Sequence, residues 1–423
     1  MTAIELDMIQ TAGIGALALT VGMVLTRKVS VLQKFCVPSP VSGGIIFSLA
    51  TLLLYSCGGI EVSFDGTLKD VFMLAFFTSV GFQSDLKVLK RGGRLLVVML
   101  LLLVVIIVLQ NLMPMGITRF MGVDPLIGMA AGSIPMTGGH GTAGGFTSVL
   151  EGMGLNGAGT IGMASATFGL IAGSMLGGPL AEKIIRTKLT HEQMQPQDEE
   201  VDPAMAGIES DEASPAGREK RVSTNEQEFQ QYAKATYYII LVMGGGTILS
   251  WLLAKTGVTF PTYFGALILA AITRNALAFF TYENEAGKRV KAEKILDMER
   301  IISVGNICLS MFLGMAMISL KLWELQSLAL PLIVILVSQI VMMGLFVFFV
   351  AFPLLGRDYD AAVLCAGICG FGLGATPNAM ANMSAVCYKY RYTVKPFLIV
   401  PIIGAMFADL INTAIITTFL NLL

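Results

Sequence analysis

Thr137-Gly138-Gly139-His140-Gly141-Thr142-Ala143-Gly144-Gly145 and Gly370-Phe371-Gly372-Leu373-Gly374-Ala375-Thr376-Pro377-Asn378 are the stretches on which the fold of this chain turns. Each ends one apolar segment and precedes another. Backbone exposed to lipid must be helical, because an unpaired N–H or C=O in hydrocarbon costs several kcal/mol. Irregular, glycine-rich backbone therefore belongs where protein or a water-filled cavity satisfies it. Two such stretches, one in each half of the chain, point to a solute site between broken helices.

The surrounding composition sets the solvent. Of 423 residues, 55% are hydrophobic and 13% charged, the latter about half the share of a soluble domain. Runs such as Leu95–Leu109 and Leu328–Ala351 approach the roughly 20 residues that span a 30 Å hydrocarbon core. The chain reads as an all-α polytopic membrane protein. A formal charge of −1 gives no reason to expect a nucleic-acid partner; membrane lipid is the expected surround. The first apolar segment, Ile4–Leu25, follows no basic stretch and carries Glu5 and Asp7, so it is expected to be a retained helix, not a cleaved signal. Of the six cysteines, Cys365 and Cys369 share a helix face without a histidine at ligand spacing, and small packing residues are the simpler reading.

Ten crossings are expected, near 4–25, 38–56, 69–86, 95–117, 157–181, 235–254, 261–281, 299–320, 328–352 and 397–421. The glycine-rich stretches 125–150 and 360–385 suit lipid poorly and are assigned as re-entrant hairpins. Counted this way, the clusters Arg27/Lys28/Lys34, Lys87/Lys90/Arg91/Arg94, Lys183/Arg186/Lys188, Lys288/Arg289/Lys291/Lys294 and Arg357/Lys389/Arg391/Lys395 share one side. Lys69, Arg119, Lys255 and Lys321 remain on the other. The positive-inside bias then places both termini outside and the clusters in the cytoplasm. Residues 182–234, polar and nearly free of aromatics, read as a cytoplasmic linker between an N-terminal repeat, 1–181, and a C-terminal repeat, 235–423.

The halves resemble each other. At a shift of 235 residues Leu74, Phe77, Ser84, Ala131, Gly132 and Gly139 meet Leu309, Phe312, Ser319, Ala366, Gly367 and Gly374. Five crossings per half is an odd number, so the second copy is inserted upside down. The two hairpins then enter from opposite sides, with their tips near the midplane. The unbroken, apolar fourth and ninth crossings offer no evident site group and are expected in a scaffold.

The chemistry is expected at the tips. Gly138, Gly139, Gly141, Gly372 and Gly374 permit tight turns and close approach of a ligand. Helix ends inside the membrane offer N–H groups to a carboxylate and carbonyls to Na⁺. Ser133, Thr137, Thr142, Thr376, Asn378 and Asn382 add side-chain oxygens. Asp409, in Ala405-Met406-Phe407-Ala408-Asp409-Leu410, is a costly intramembrane charge that calls for a cavity and a partner. His140 at the first tip serves either the turn or the ligand. Thr167 and Asn306 are further polar candidates, and Arg274 either meets a substrate carboxylate or snorkels. Thr137, Asn306, Thr376, Asn382 and Asp409 are the candidate Na⁺ ligands. No nucleophile–base pair or metal constellation suggests an enzyme.

Gly132-Ser133-Ile134, Thr137-Gly138-Gly139-His140-Gly141-Thr142, Ala166-Thr167-Phe168-Gly169-Leu170, Gly370-Phe371-Gly372-Leu373-Gly374-Ala375-Thr376-Pro377, Ser319-Leu320-Lys321-Leu322-Trp323-Glu324-Leu325 and Val37-Pro38-Ser39-Pro40-Val41 closely resemble the bacterial sodium/glutamate symporters of the glutamate:sodium symporter family. The resemblance runs through both halves and leaves out mainly the linker. It implies a ten-crossing inverted repeat, a homodimer, elevator-type exchange, and Na⁺-coupled uptake of L-glutamate across the bacterial inner membrane. Na⁺ is then the coupling ion, with no other cofactor. Ile134-Pro135-Met136 departs from the small polar residues expected there. Another carboxylate, such as a dicarboxylate, is the alternative cargo; a channel is a more distant alternative.

Overall fold

The computed structural model describes residues 2–87, 93–190, 225–283, 289–291 and 295–423. It is mostly helical. The chain opens with β1, Thr2–Leu6, which pairs in parallel with β2, Ile60–Phe64. A second small ribbon joins β3, Thr281–Glu283, to β4, Arg289–Lys291. The expected first crossing therefore starts later than Ile4. Asp7 sets the boundary of α1, Met8–Lys28: its carboxylate accepts from Gln10 N while Gln10 Oε1 accepts from Asp7 N, a reciprocal cap.

The first half continues with α2, Ser39–Gly58; α3, Thr67–Gln83; and α4, Gly93–Phe120. A broken stretch follows, made of α5, Pro125–Ala130; α6, Ser133–Met136; and α7, Gly139–Gly152. The long α8, Ala158–Lys188, completes it. The second half holds α9, Asn225–Ala254; α10, Phe264–Leu277; α11, Met298–Ile318; and α12, Ala329–Phe346, which runs on through a π turn to Leu354. A second broken stretch comprises α13, Tyr359–Leu373, and α14, Thr376–Lys389. Finally α15, Lys395–Ile402, passes through a π turn at Ile403–Phe407 into α16, Ala408–Leu420. Pro401 lies just before that turn, where a missing N–H disturbs the helical ladder.

Seven helices among the described residues are long and apolar enough to cross a membrane: α1, α2, α4, α8, α9, α11 and the α12 rod. Most of the linker expected at 182–234, together with Lys90, Arg91, Lys288 and Lys294, lies outside the described residues. The remaining expected crossings fall on α3, α10 and the interrupted α15–α16 rod.

Helix packing divides these elements into two bundles. α1, α2, α3, α9, α10 and α11 pack chiefly on one another. α8 packs against α7, α13 and α14, and α4 against α5 and α16. In the first bundle α1 and α2 touch backbone to backbone: a methyl on Gly22 would overlap the Ser39 carbonyl, and one on Gly43 the Ala18 carbonyl. Ser48 Oγ donates to Met317 O at 2.6 Å, fixing α2 to α11. Beyond α11, Trp323 stacks on Tyr55 of α2 with ring centroids 4.0 Å apart. α4 and α12, expected in a scaffold, instead bond to the broken stretches.

Candidate functional site

The two glycine-rich stretches meet. A methyl on Gly139, whose φ of +63° suits glycine, would sit 3.2 Å from the carbonyl of Gly374. Together they line a cavity of about 180 Å³ with Thr137, Gly138, Gly139, His140, Gly141 and Thr142 on one side and Gly374, Ala375 and Thr376 on the other. Gly404, Ala408 and Asp409 close it from the last rod, and Phe76, Leu309 and Leu313 from the first bundle. The cavity thus lies between the two bundles.

Two helices start at this cavity. α7 begins after Gly138 and α14 after Ala375, and neither has a side-chain cap. Their first N–H groups lack intrahelical partners and carry partial positive charge, an arrangement suited to anions. Asp409 is the one carboxylate among the lining residues, and the Thr142 hydroxyl sits beside it. The lining can therefore receive carboxylates at the two helix starts and a cation at Asp409.

The other expected residues stand behind this lining. His140 Nε2 lies 3.0 Å from Thr167 Oγ, which itself donates to Met163 O at 2.9 Å, so Thr167 fixes the imidazole from α8. Asn378 Nδ2 donates to Leu170 O at 2.8 Å and Asn382 Nδ2 to Gly173 O at 2.9 Å, tying α14 to α8. Asn378 Oδ1 is buried without a donor among the described residues. Ser133 and Gly372 are held from behind by buried amides. Two candidates fall elsewhere. Arg274 pairs with Asp85 at 3.2 Å near the far end of the first bundle, and Asn306 is exposed on α11, away from the cavity.

The supports that sequence reading missed are buried amides in apolar helices. Gln110 Nε2 donates to Gly372 O at 2.6 Å while its Oε1 accepts from Thr137 Oγ at 2.6 Å, so one side chain joins both broken stretches. Asn111 brackets Ser133: its Nδ2 donates to Ser133 Oγ at 2.9 Å, and its Oδ1 accepts from Ser133 N at 3.1 Å. Asn412 Nδ2 donates to Ser133 O at 3.0 Å, and Gln339 Nε2 to Gln110 O at 3.0 Å. Helix breaks free backbone groups that lipid cannot satisfy, and these amides satisfy them. The signal was present: Gln110, Asn111 and Gln339 are polar residues inside otherwise apolar runs.

A membrane protein of packed helices, broken in each half around a shared solute-sized cavity, has the build of a secondary transporter. The comparisons narrow the class. Residues 4–392 match the family model described as Sodium/glutamate symporter. The chain is 39% identical to the sodium/glutamate symporter of Escherichia coli (strain K12), over 99% of its own length and 98% of that protein's. To the sodium/glutamate symporter of Haemophilus influenzae it is 36% identical, covering 96% and 95%. The chain belongs to the sodium/glutamate symporter family; its relatives bear the names of transporters, not enzymes.

Proposed function

We propose that this protein carries L-glutamate into the cell together with Na⁺, across the bacterial inner membrane. The observation that carries this reading is the convergence of two uncapped helix starts and one carboxylate on a single cavity. Glutamate has two carboxylates and one ammonium. The starts of α7 and α14 receive the former, with Thr376 as a hydroxyl partner; the Thr137 hydroxyl donates to Gln110, which leaves its oxygen free only to accept or to face a cation. Asp409 receives the ammonium, which favours an amino acid over a plain dicarboxylate. Na⁺ takes oxygens from Thr137, Thr376, Asn378 and Asp409, supported by the unpartnered acceptor of Asn378.

The halves 1–181 and 235–423 form an inverted repeat joined by the linker, with 125–150 and 360–385 as opposed hairpins. Both termini face outward. Exchange is of the elevator type, within a homodimer: the bundle holding both hairpins slides against the bundle of α1–α3 and α9–α11. The division of packing into two bundles, with the cavity between them, supports this motion. Purified protein in liposomes, given an inward Na⁺ gradient, is expected to accumulate radiolabelled L-glutamate. It should not accumulate glutarate, which lacks the ammonium. Accumulation that persists with choline in place of Na⁺ overturns the proposal.

A further inference from the structure

A second, larger cavity of about 410 Å³ adjoins the first, lined by Lys69, Thr147, Glu151, Thr160, Lys321 and Glu324 among others. Three helices serve both. On α7 the incompletely buried positions Gly141, Gly144, Thr147 and Glu151 recur every three or four residues, the spacing of one helix face. On α8, Thr160 and Met163 line the larger cavity and Leu170 the smaller. On α11, Ala316 and Phe312 line the larger, Leu313 and Leu309 the smaller.

One layer of side chains separates them. A methyl on Gly144 would overlap the tip of the Phe312 ring and lie 2.9 Å from Met163 Cε. Phe312 and Met163 are 0% and 1% exposed. Phe312 belongs to the first bundle, Gly144 and Met163 to the second, so the layer closes where the bundles meet. The larger cavity is open at its wall, where Glu151 and Asn156 are exposed. It opens on the face that carries β1 and β2, because Lys321 Nζ on its wall donates to Glu61 Oε1 of β2 at 2.8 Å.

We propose, on the basis of the transport reading above, that the charged cavity is the antechamber through which solute reaches the hairpin tips. Phe312, closed on Gly144 beside Met163, is the barrier between them. The antechamber wall sets two ammonium groups, Lys69 and Lys321, among two carboxylates, Glu151 and Glu324. A small zwitterionic or anionic amino acid finds there partners for both of its charges. The ring swings aside when the bundles shift, and glycine at 144 leaves the room for it to seal again.

The test uses protein in liposomes, with Cys57→Ser to remove the exposed native thiol, and a membrane-impermeant methanethiosulfonate applied on the β1–β2 side. Ala316→Cys is expected to react readily and Leu313→Cys about tenfold more slowly, as thiol modification follows access. Adding Phe312→Ala, or separately Met163→Ala, should bring the Leu313→Cys rate up to that of Ala316→Cys. An unreactive Ala316→Cys, or a Leu313→Cys rate indifferent to both truncations, overturns the proposal. No substrate enters this assay. Protein that fails to move glutamate yet keeps this labelling pattern would strike the transport reading alone.

Discussion

At the scale of single residues, Asp409 and Gln110 carry different burdens. Asp409 lines the cavity, and in the proposed function it meets the substrate ammonium. A charge-assisted hydrogen bond contributes about 1.5–3 kcal/mol. Asp409→Asn is therefore expected to raise the KM for glutamate by roughly one to two decades, at 1.4 kcal/mol per decade. Uptake kinetics at saturating Na⁺ check this; an unchanged KM removes Asp409 from substrate contact. Gln110→Leu leaves the Thr137 hydroxyl and the Gly372 carbonyl without their partner, at about 1–3 kcal/mol per buried group. A lower melting temperature in detergent, with impaired uptake, is the expected outcome. Asp409 was legible because an acidic residue in an apolar run is costly and so needs a reason. Gln110, Asn111 and Gln339 stand out as polar residues in apolar runs, but their roles were not legible, because their partners lie on broken stretches and helices elsewhere in the chain. Arg274 shows the converse: its partner, Asp85, is 189 positions away, so sequence left a substrate role open.

At the scale of elements, glycine made both broken stretches readable in the sequence. The strong apolar segments were equally readable. Their ends were less so: Asp7 starts α1 several residues late because Thr2–Leu6 finds a strand partner at Ile60–Phe64. The π turn before Asp409 also escaped, since its cue is a single proline. The meeting of the tips yields a sharp expectation. Gly139 has φ of +63° and its pro-side-chain direction faces the Gly374 carbonyl at 3.2 Å. Alanine there costs about 1–2 kcal/mol in backbone strain and pushes the stretches apart. Gly139→Ala should cut glutamate uptake severalfold while expression stays near that of the parent. Gly152→Ala, in open space at the other end of α7, should do neither.

For the whole molecule, charge placement and transport energetics act together. Glutamate enters with net charge −1, and moving one charge against 100 mV costs about 2.3 kcal/mol. One Na⁺ cancels that cost; a second adds about 2.3 kcal/mol, near 1.7 decades of accumulation. Uptake is therefore expected to be electrogenic, with two or more Na⁺ per glutamate. Current recorded from a solid-supported membrane checks it, and accumulation without net charge movement counts against it. The two-bundle division was not legible, because Gly22 and Gly43 look like ordinary small residues until their neighbours are known. Among the elements fastened to that glycine face is the segment bearing Trp323, stacked on Tyr55. The chain has two tryptophans, and the other, Trp251, lies on α9 with its own partner, Lys255. Trp251→Phe would thus leave Trp323, stacked on Tyr55, as a lone indole. Its emission then reports on that stacked junction alone, without any attached dye.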